Sequence, residues 1–548
     1  MLNCKNCNQP FLITDADKTF YAKIDVPAPT RCPDCRQQRR LTWANELFLY
    51  QRKSSLTGKD IISMYNPNLS LKVYSVPEWW SDDWEGLDYG QDYLPNTSFI
   101  EQFMALKSNV PHAALSIGSA GVTNSDFVNY CGHLKNCYLV FDSDNCEDCY
   151  YSGTLTDSRD SIDCMKSRNC ELCYECIDCY KCFNLKYSQD CLECSQSYFL
   201  KNCSGCIDCF RCVNLHNQKY CWGNEQLSSA EYQERLSQVD FGSRSVIQAG
   251  CEQLNLLMLQ HPHKYLHGIK NDGCTGDYLY NAAETFDSYD CRDVQNCHYC
   301  YSIPLSAKDL YDTFQWGDNC ELLYENVEVG DSDYNCKFCL TCAPHCQNLE
   351  YCFSCRSCKN CFGCASLKNK EFCILNKQYN EKDYFVLKEI IIDRMKRDGE
   401  YGEFFPARFS PHGYNETDAI FYYPLAREEA IRQGFKWYDQ PKKEMTHQVV
   451  PPDTIQAVTE GTLSEVFSCS CGRSFKIIPQ EFSFYKKLNI PLPNQCYFCR
   501  HIARLNKRNP QKLFLRHCDK CQKDMRTTYA PDRPEKVYCE ECYQKEIY

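Results

Sequence analysis

The stretch NCELCYECIDCYKCFNL (residues 169–185) places cysteine at every third position five times in succession. No other feature constrains the fold as much, because a period of three is neither the 3.6 of a helix nor the 2 of a strand. From Cys131 to Cys221 all 17 cysteines fall in one frame of 31 positions, whose other members are seven Ser, five Leu, Val140 and Gln218. Such a row of small or apolar side chains must point to one place, inward. Ser116, Ser119, Val122, Ser125 and Val128 extend the frame backwards. Val140, Leu155, Cys170, Leu185, Leu200 and Leu215 recur every 15 residues, as do Cys131, Cys146, Ser161, Cys176, Cys191, Cys206 and Cys221. Fixed-period self-similarity of this kind predicts a β-solenoid, here with coils of about 15 residues and five inward side chains each.

A second array is visible through a repeat: CSGCIDCFRCVNLHNQKYC (203–221) matches CRSCKNCFGCASLKNKEFC (355–373) at an offset of 152. Its frame slips by single residues upstream, near Pro344 for example, which reads as bulges at coil corners. The tails WGNEQLSSAEYQERL and ILNKQYNEKDYFVLKEIIIDRMK read as helices covering the open end of each array. The expected fold class is therefore mainly β, with two short-coil solenoids at 116–223 and 274–376. Around them lie a helical cap at 81–115, a helical connector at 224–273, and a helical cap and linker at 377–464. Within the last, residues 424–435 read as a short helix and 447–456 as the linker. The triplet pattern resembles the short-coil β-helices of insect antifreeze proteins, which differ in coil length.

Isolated cysteine pairs mark the ends. Cys4, Cys7, Cys32 and Cys35 form two knuckles in 1–50, and Cys469, Cys471, Cys496 and Cys499 echo them in 465–505. FYAKIDVPAPTRCPDCR (20–36) aligns without gaps on FYKKLNIPLPNQCYFCR (484–500). Cys518, Cys521, Cys539 and Cys542 form a third set in 506–548. Four thiolates at such spacings predict structural Zn2+ sites of the zinc-ribbon or treble-clef kind, three in all, stabilising segments too small to bury a core. Residues 51–80 keep the same frame, GKDIISMYNPNLSLKVYS (58–75) aligning on QKDMRTTYAPDRPEKVYC (522–539). They carry Ser54, Thr57, Ser75 and Glu78 where thiolates would stand. This module is expected to have lost its metal and to be held by packing around Trp79, Trp80 and Trp84.

The chain has 45 cysteines in 548 residues and a net charge of −12. Its N-terminus MLNCKNCNQP lacks the charged and apolar regions of a signal peptide, and no apolar run is long enough to span a bilayer. A cytoplasmic, reducing location is expected, with no membrane partner; there, CxxC pairs read first as metal sites. Residues 469–548 carry 16 basic and 8 acidic side chains, whereas 116–223 carry 9 and 14. Basic residues follow the knuckles: Arg36, Arg39 and Arg40, then Arg500, Arg504, Lys507 and Arg508. These are candidates for contact with nucleic-acid phosphates, the alternative being a solvated helix face.

The inward thiols admit three readings: packing in the reduced state, disulfides between stacked coils, or metal clusters. Compartment and space favour the first. Asp148, Asp163, Asp178, Glu193 and Asp208 recur every 15 residues, as a Ca2+-holding column or as corner-forming residues. Tyr150, Tyr180 and Phe210, with Tyr138, Phe183 and Tyr198, form a partner-binding column or a packing face. His261, His263 and His267 lie near Cys251 and Cys274. No catalytic motif is present: LTGKD lacks the upstream glycine of a phosphate-binding loop, and GxSxG, HExxH and GxGxxG do not occur. No small-molecule substrate is indicated.

The segments VPAPTRCPDCRQQRRLTWANE (26–46), NCELCYECIDCYKCFNL (169–185), CFGCASLKNKEFCILNKQY (361–379) and SPHGYNETDAIFYYPLAREEA (410–430) carry a resemblance to a family of cysteine-rich proteins from uncultivated bacteria. Its members often bear a CaiB/BaiF, that is CoA-transferase, label, and no motif here supports that activity. The resemblance implies four cysteines at positions 54, 57, 75 and 78, from which this chain departs. The expectation is a zinc-binding, non-enzymatic binding or scaffold protein with protein partners. Nucleic-acid binding through the basic modules is the alternative, and an enzyme the distant third.

Overall fold

The computed structural model describes residues 1–118, 121–315, 317, 321, 323–328, 330, 333–439 and 449–548. Ser119, and residues 447 and 448 of the linker expected at 447–456, lie outside the described residues. Most strands are short and lie in small parallel sheets. The element that builds them is the triplet. Its first residue pairs with a neighbouring coil and its third points inward. The residue just before each inward one is left-handed, as at Tyr130 (φ 55°), His133 (50°), Asn136 (55°) and Leu139 (51°). That conformation costs ordinary residues roughly 1–2 kcal/mol and suits Asn and Asp better, and Asn136, Asp142, Asn145, Asp148, Asp157 and Asp160 all occupy it.

One left-handed residue per triplet turns the backbone, and four turns bring it back beside itself. The register is Cys131 opposite Ser143, Gly153 opposite Met165, Phe183 opposite Ser195, Tyr198 opposite Phe210. The coil is thus twelve residues, with four inward side chains, and the expected 15-residue coil is corrected. At this register the Tyr138 N–H reaches the Cys149 carbonyl at 3.2 Å and the Leu139 N–H the Asp126 carbonyl at 3.2 Å. Asparagine ladders follow the same spacing, Asn202 donating to Asn214 at 2.7 Å and Asn124 to Asn136 at 2.8 Å. A step of 15 residues is one coil plus one triplet. The acidic residues Asp148, Asp163, Asp178, Glu193 and Asp208 therefore wind around the stack rather than forming a column, each at a left-handed position. The true aromatic row runs Tyr138, Tyr150, Ile162, Tyr174, then Tyr198, Phe210 and Trp222.

Inward cysteines are free thiols and almost wholly buried. Each Sγ reaches the carbonyl two residues back, and most also reach one in the next coil: Cys176 lies 3.5 Å from Tyr174 O and 3.3 Å from Leu185 O. Serine in the same row donates likewise, Ser143 to Phe141 O at 2.8 Å, and also accepts from the Leu155 N–H at 2.9 Å. Small size and a weak S–H donor both explain why Cys and Ser alternate here.

The second stack begins with an eleven-residue step, Gly268 opposite Leu279, followed by a twelve-residue one, Gly276 opposite Ser288. It lengthens to thirteen at Val294–Ala307, Leu310–Leu323 and Tyr324–Lys337. It returns to twelve at Gln347–Lys359 and Lys359–Glu371. The frame slips in the sequence are these one-residue insertions. Each stack closes with an antiparallel turn, Cys221–Trp222 on Glu225–Gln226 and Glu371–Ile374 on Lys377–Gln378. A helix then covers it: Ser229–Ser237, capped by Ser228 and burying Tyr232, and Glu381–Asp398, capped by Asn380 and burying Tyr384. In 424–435 the helix spans Arg427–Arg432, followed by Gly434 at φ 84°.

The terminal segments fold back onto the stacks. Tyr311, Tyr324, Phe338, Tyr351 and Phe362 of the second stack share one core with Phe20, Tyr21, Phe99 and Phe405. Tyr151, Tyr174, Phe199 and Phe210 of the first share another with Phe484, Tyr485 and the Arg244–Gln260 helix. The aromatic rows are packing faces.

Candidate metal centres

In each cysteine module a hairpin supplies two sulfurs and a helix start supplies two. Cys4 and Cys7 sit in the turn joining Leu2–Asn3 to Pro10–Phe11, where the Cys4 N–H meets Gln9 O at 2.9 Å and Asn8 turns left-handed. Cys32 is the N-cap of the Pro33–Leu41 helix and Cys35 lies in its first turn. Cys469 and Cys471 occupy the turn between Phe467–Ser468 and Ser474–Phe475, with Cys496 capping Tyr497–Leu505. Cys518 and Cys521 follow Phe514–His517, with Cys539 capping Glu540–Ile547. In each set the four ligand atoms lie within 4.8 Å of one another. Sulfur separations of 3.7, 3.6 and 3.7 Å join Cys7 to Cys32, Cys471 to Cys496 and Cys521 to Cys539. Four sulfurs about 2.3 Å from one zinc would stand roughly 3.8 Å apart, so the sets fit such an ion. All twelve cysteines singled out in the sequence are in place. Among the described residues no stack cysteines form such a group. Burial disfavours the Cys4, Cys469 and Cys518 thiolates, yet N–H donors at each sulfur hold them at about 6.

The module at 51–80 repeats the bonds without sulfur. Ser54 N–H meets Lys59 O at 2.8 Å, as Cys518 N–H meets Lys523 O at 2.9 Å. Val73 pairs in parallel with His112 as Val537 pairs with His263. At its centre the Glu78 carboxylate accepts from Ser54 Oγ and Thr57 Oγ1 at 2.5 Å each and from the Ser75 N–H at 2.8 Å. Trp79 is buried beside Trp80 and Trp84 and donates to Pro111 O at 3.1 Å. Burial alone would raise the Glu78 pKa; the three hydrogen bonds outweigh it and hold it at about 2. A depressed carboxylate stabilises the fold above its unfolded pKa of roughly 4.3. That contribution, about 1 kcal/mol after solvent screening, is lost as pH falls from 4.3 towards 2. Glu78→Gln should flatten the acid limb of the stability curve, measured by urea denaturation between pH 5 and 2.5.

The arginines beside the knuckles are not on the surface. Arg36, Arg39, Arg40, Arg500, Arg504 and Arg508 are at most 6% exposed and each meets a carboxylate of the stacks. Arg36 Nε and Arg40 donate to Asp312 Oδ1 at 2.9 and 3.1 Å, and Arg39 donates to both Glu325 oxygens at 2.7 Å. Arg500 and Arg504 converge on Asp163, while Arg508 bridges Asp178 of the first stack and Asp290 of the second. Lys507 alone is substantially exposed, 3.4 Å from Glu175. The expected phosphate contact by the six arginines is corrected: their charge is spent inside. Their partners escaped sequence reading. The signal was the shared i, i+4 spacing of Arg36 with Arg40 and Arg500 with Arg504, which puts two guanidinium groups on one helix face. His263 and His267 join Tyr529 at 3.3 Å each, and His267 joins Asp277; among the described residues they belong to no metal group.

The ends are thus knuckle-and-helix cysteine modules clamped on parallel stacks. Residues 1–42 match the model of a family described as "Probable treble clef domain". Among solved structures, an acetyltransferase candidate from Desulfovibrio desulfuricans G20 matches at 7% identity over 46% of this chain and 66% of that one; its TM-score of 0.09 carries no argument. Neither bears a CaiB/BaiF label. No curated protein matches the chain. No helix among the described residues is long and apolar enough to cross a membrane.

Proposed function

We propose that the chain is a zinc-binding, non-enzymatic binding and scaffold protein. The observation carrying this is the three four-sulfur sets, whose separations and helix-start placement suit tetrahedral Zn2+. The parallel registers of twelve and thirteen residues support two β-solenoids as its rigid body. The zinc modules act as clamps: the N-terminal one ties its arginines to the second solenoid, the C-terminal one to the first and to the seam. Thiols acting as S–H donors throughout the stacks fit a reducing, cytosolic setting. Native mass spectrometry of the full chain purified from cells tests the reading. Three zinc ions per chain are expected. Fewer than three, or a large excess held by the stacks, would count against it, and turnover of a defined small molecule by the pure protein would end the non-enzymatic part.

A further inference from the structure

A cavity of about 240 Å3 lies where the first stack, the connector, the start of the second stack and the C-terminal module meet. Its floor is charged although buried. Lys201 pairs with Asp190, their side chains 8% and 7% exposed, and His267 stands 4.0 Å from the same carboxylate. Asp190 Oδ1 and His216 Nε2, both on lining residues, are buried with no hydrogen-bond partner among the described residues. A buried polar atom left unpaired is destabilising, and a ligand in this cavity could pair both of them. At the rim the Arg292 guanidinium lies over Tyr280 at 4.4 Å and Tyr180 at 5.2 Å. It forms no ion pair among the described residues.

The repeated architecture supplies a comparison within the molecule. Tyr529 and His263 by this cavity correspond to Tyr65 and His112 in the N-terminal module, with the same hydroxyl-to-Nδ1 distance of 3.3 Å. At the offset of 152 that relates the two stacks, Lys201 corresponds to Phe353. There the Phe353 ring packs on His112 at 5.1 Å and is 8% exposed, so an apolar side chain fills the place. One copy is plugged by a ring. The other holds a lysine, a carboxylate and open space.

We propose that this cavity binds a small organic anion that also carries an N–H donor. Its carboxylate or phosphate group meets Arg292, and its N–H group satisfies Asp190 Oδ1. The volume is below the roughly 300–1,000 Å3 of drug-sized sites, which sets the ligand at about the size of one substituted ring or one modified amino acid. Two probes separate the anion types: 4-aminobenzoate for the carboxylate and O-phospho-L-serine for the phosphate. Isothermal titration calorimetry of the metal-loaded full chain should show at least one binding with Kd of about 1 mM or tighter. Arg292→Gln should weaken that binding about tenfold or more, with metal content and melting temperature unchanged. Lys201→Phe, which imitates the plugged copy, combined with Asp190→Asn, which removes the carboxylate charge, should remain folded and abolish binding. Failure of both probes to bind below about 10 mM overturns the proposal. So does binding that survives both variants. The zinc count on the same samples reports separately on the scaffold reading.

Discussion

Replacing Cys518 and Cys521 by serine is expected to lower the zinc content from three ions to two and to unfold the C-terminal module. The buried cluster in that module comprises Cys518, Met525, Tyr529, Val537 and Cys539, two of them ligands. So small a core cannot hold a hairpin and a helix together against their conformational entropy. The metal supplies the difference; structural zinc in comparable small modules is worth about 10–16 kcal/mol at neutral pH. The loss should spread, because Val537 pairs with His263 and Tyr529 lines the seam. Metal analysis and proteolysis of the 506–548 segment measure both effects. Three ions retained by the variant, or an unaltered protease pattern, would refute the assignment. The module at 51–80 shows what the alternative to zinc requires: a capped carboxylate with three donors, and Trp79 buried behind it.

The second large effect is expected at Asp163. Its carboxylate is wholly buried and faces both Arg500 and Arg504, and Arg504 also donates to Tyr151 O at 3.0 Å. Asp163→Ala leaves two guanidinium groups in the interior without the carboxylate that pairs them, and removing one partner of such a group costs about 3–5 kcal/mol. Asp312→Ala should cost a similar amount through Arg36 and Arg40. Replacing the whole triad, with Asp163→Leu, Arg500→Met and Arg504→Leu together, should recover most of the loss, since well-packed apolar side chains substitute for buried ion pairs at little net cost. Chemical denaturation of the single and triple variants decides it. A loss below about 1 kcal/mol for Asp163→Ala would mean that the pair is solvated in solution.

The residues that local geometry governs were legible. A knuckle is a tight turn followed by a helix start, set within a few residues, so Cys4, Cys7, Cys32 and Cys35 and their two counterparts could be read from spacing alone. The inward row was legible for the same reason: one triplet fixes which of its three side chains points to the axis. The coil length was not, although a ladder such as Asn202 and Asn214 holds the trace of it.

By itself, then, the sequence determined the twelve candidate ligands, the inward thiol row, the caps and the module at 51–80 that lacks thiolates. The tertiary structure decided that four triplets close a coil, because closure depends on the summed bend of successive left-handed residues and on hydrogen bonds to the next coil. It also decided the fate of the arginines. Arg36 and Asp312 are 276 positions apart, and Arg500 and Asp163 are 337 apart. Whether such a charge meets phosphate or a buried carboxylate depends on which surfaces the folded stacks bring against it, and no local pattern carries that information.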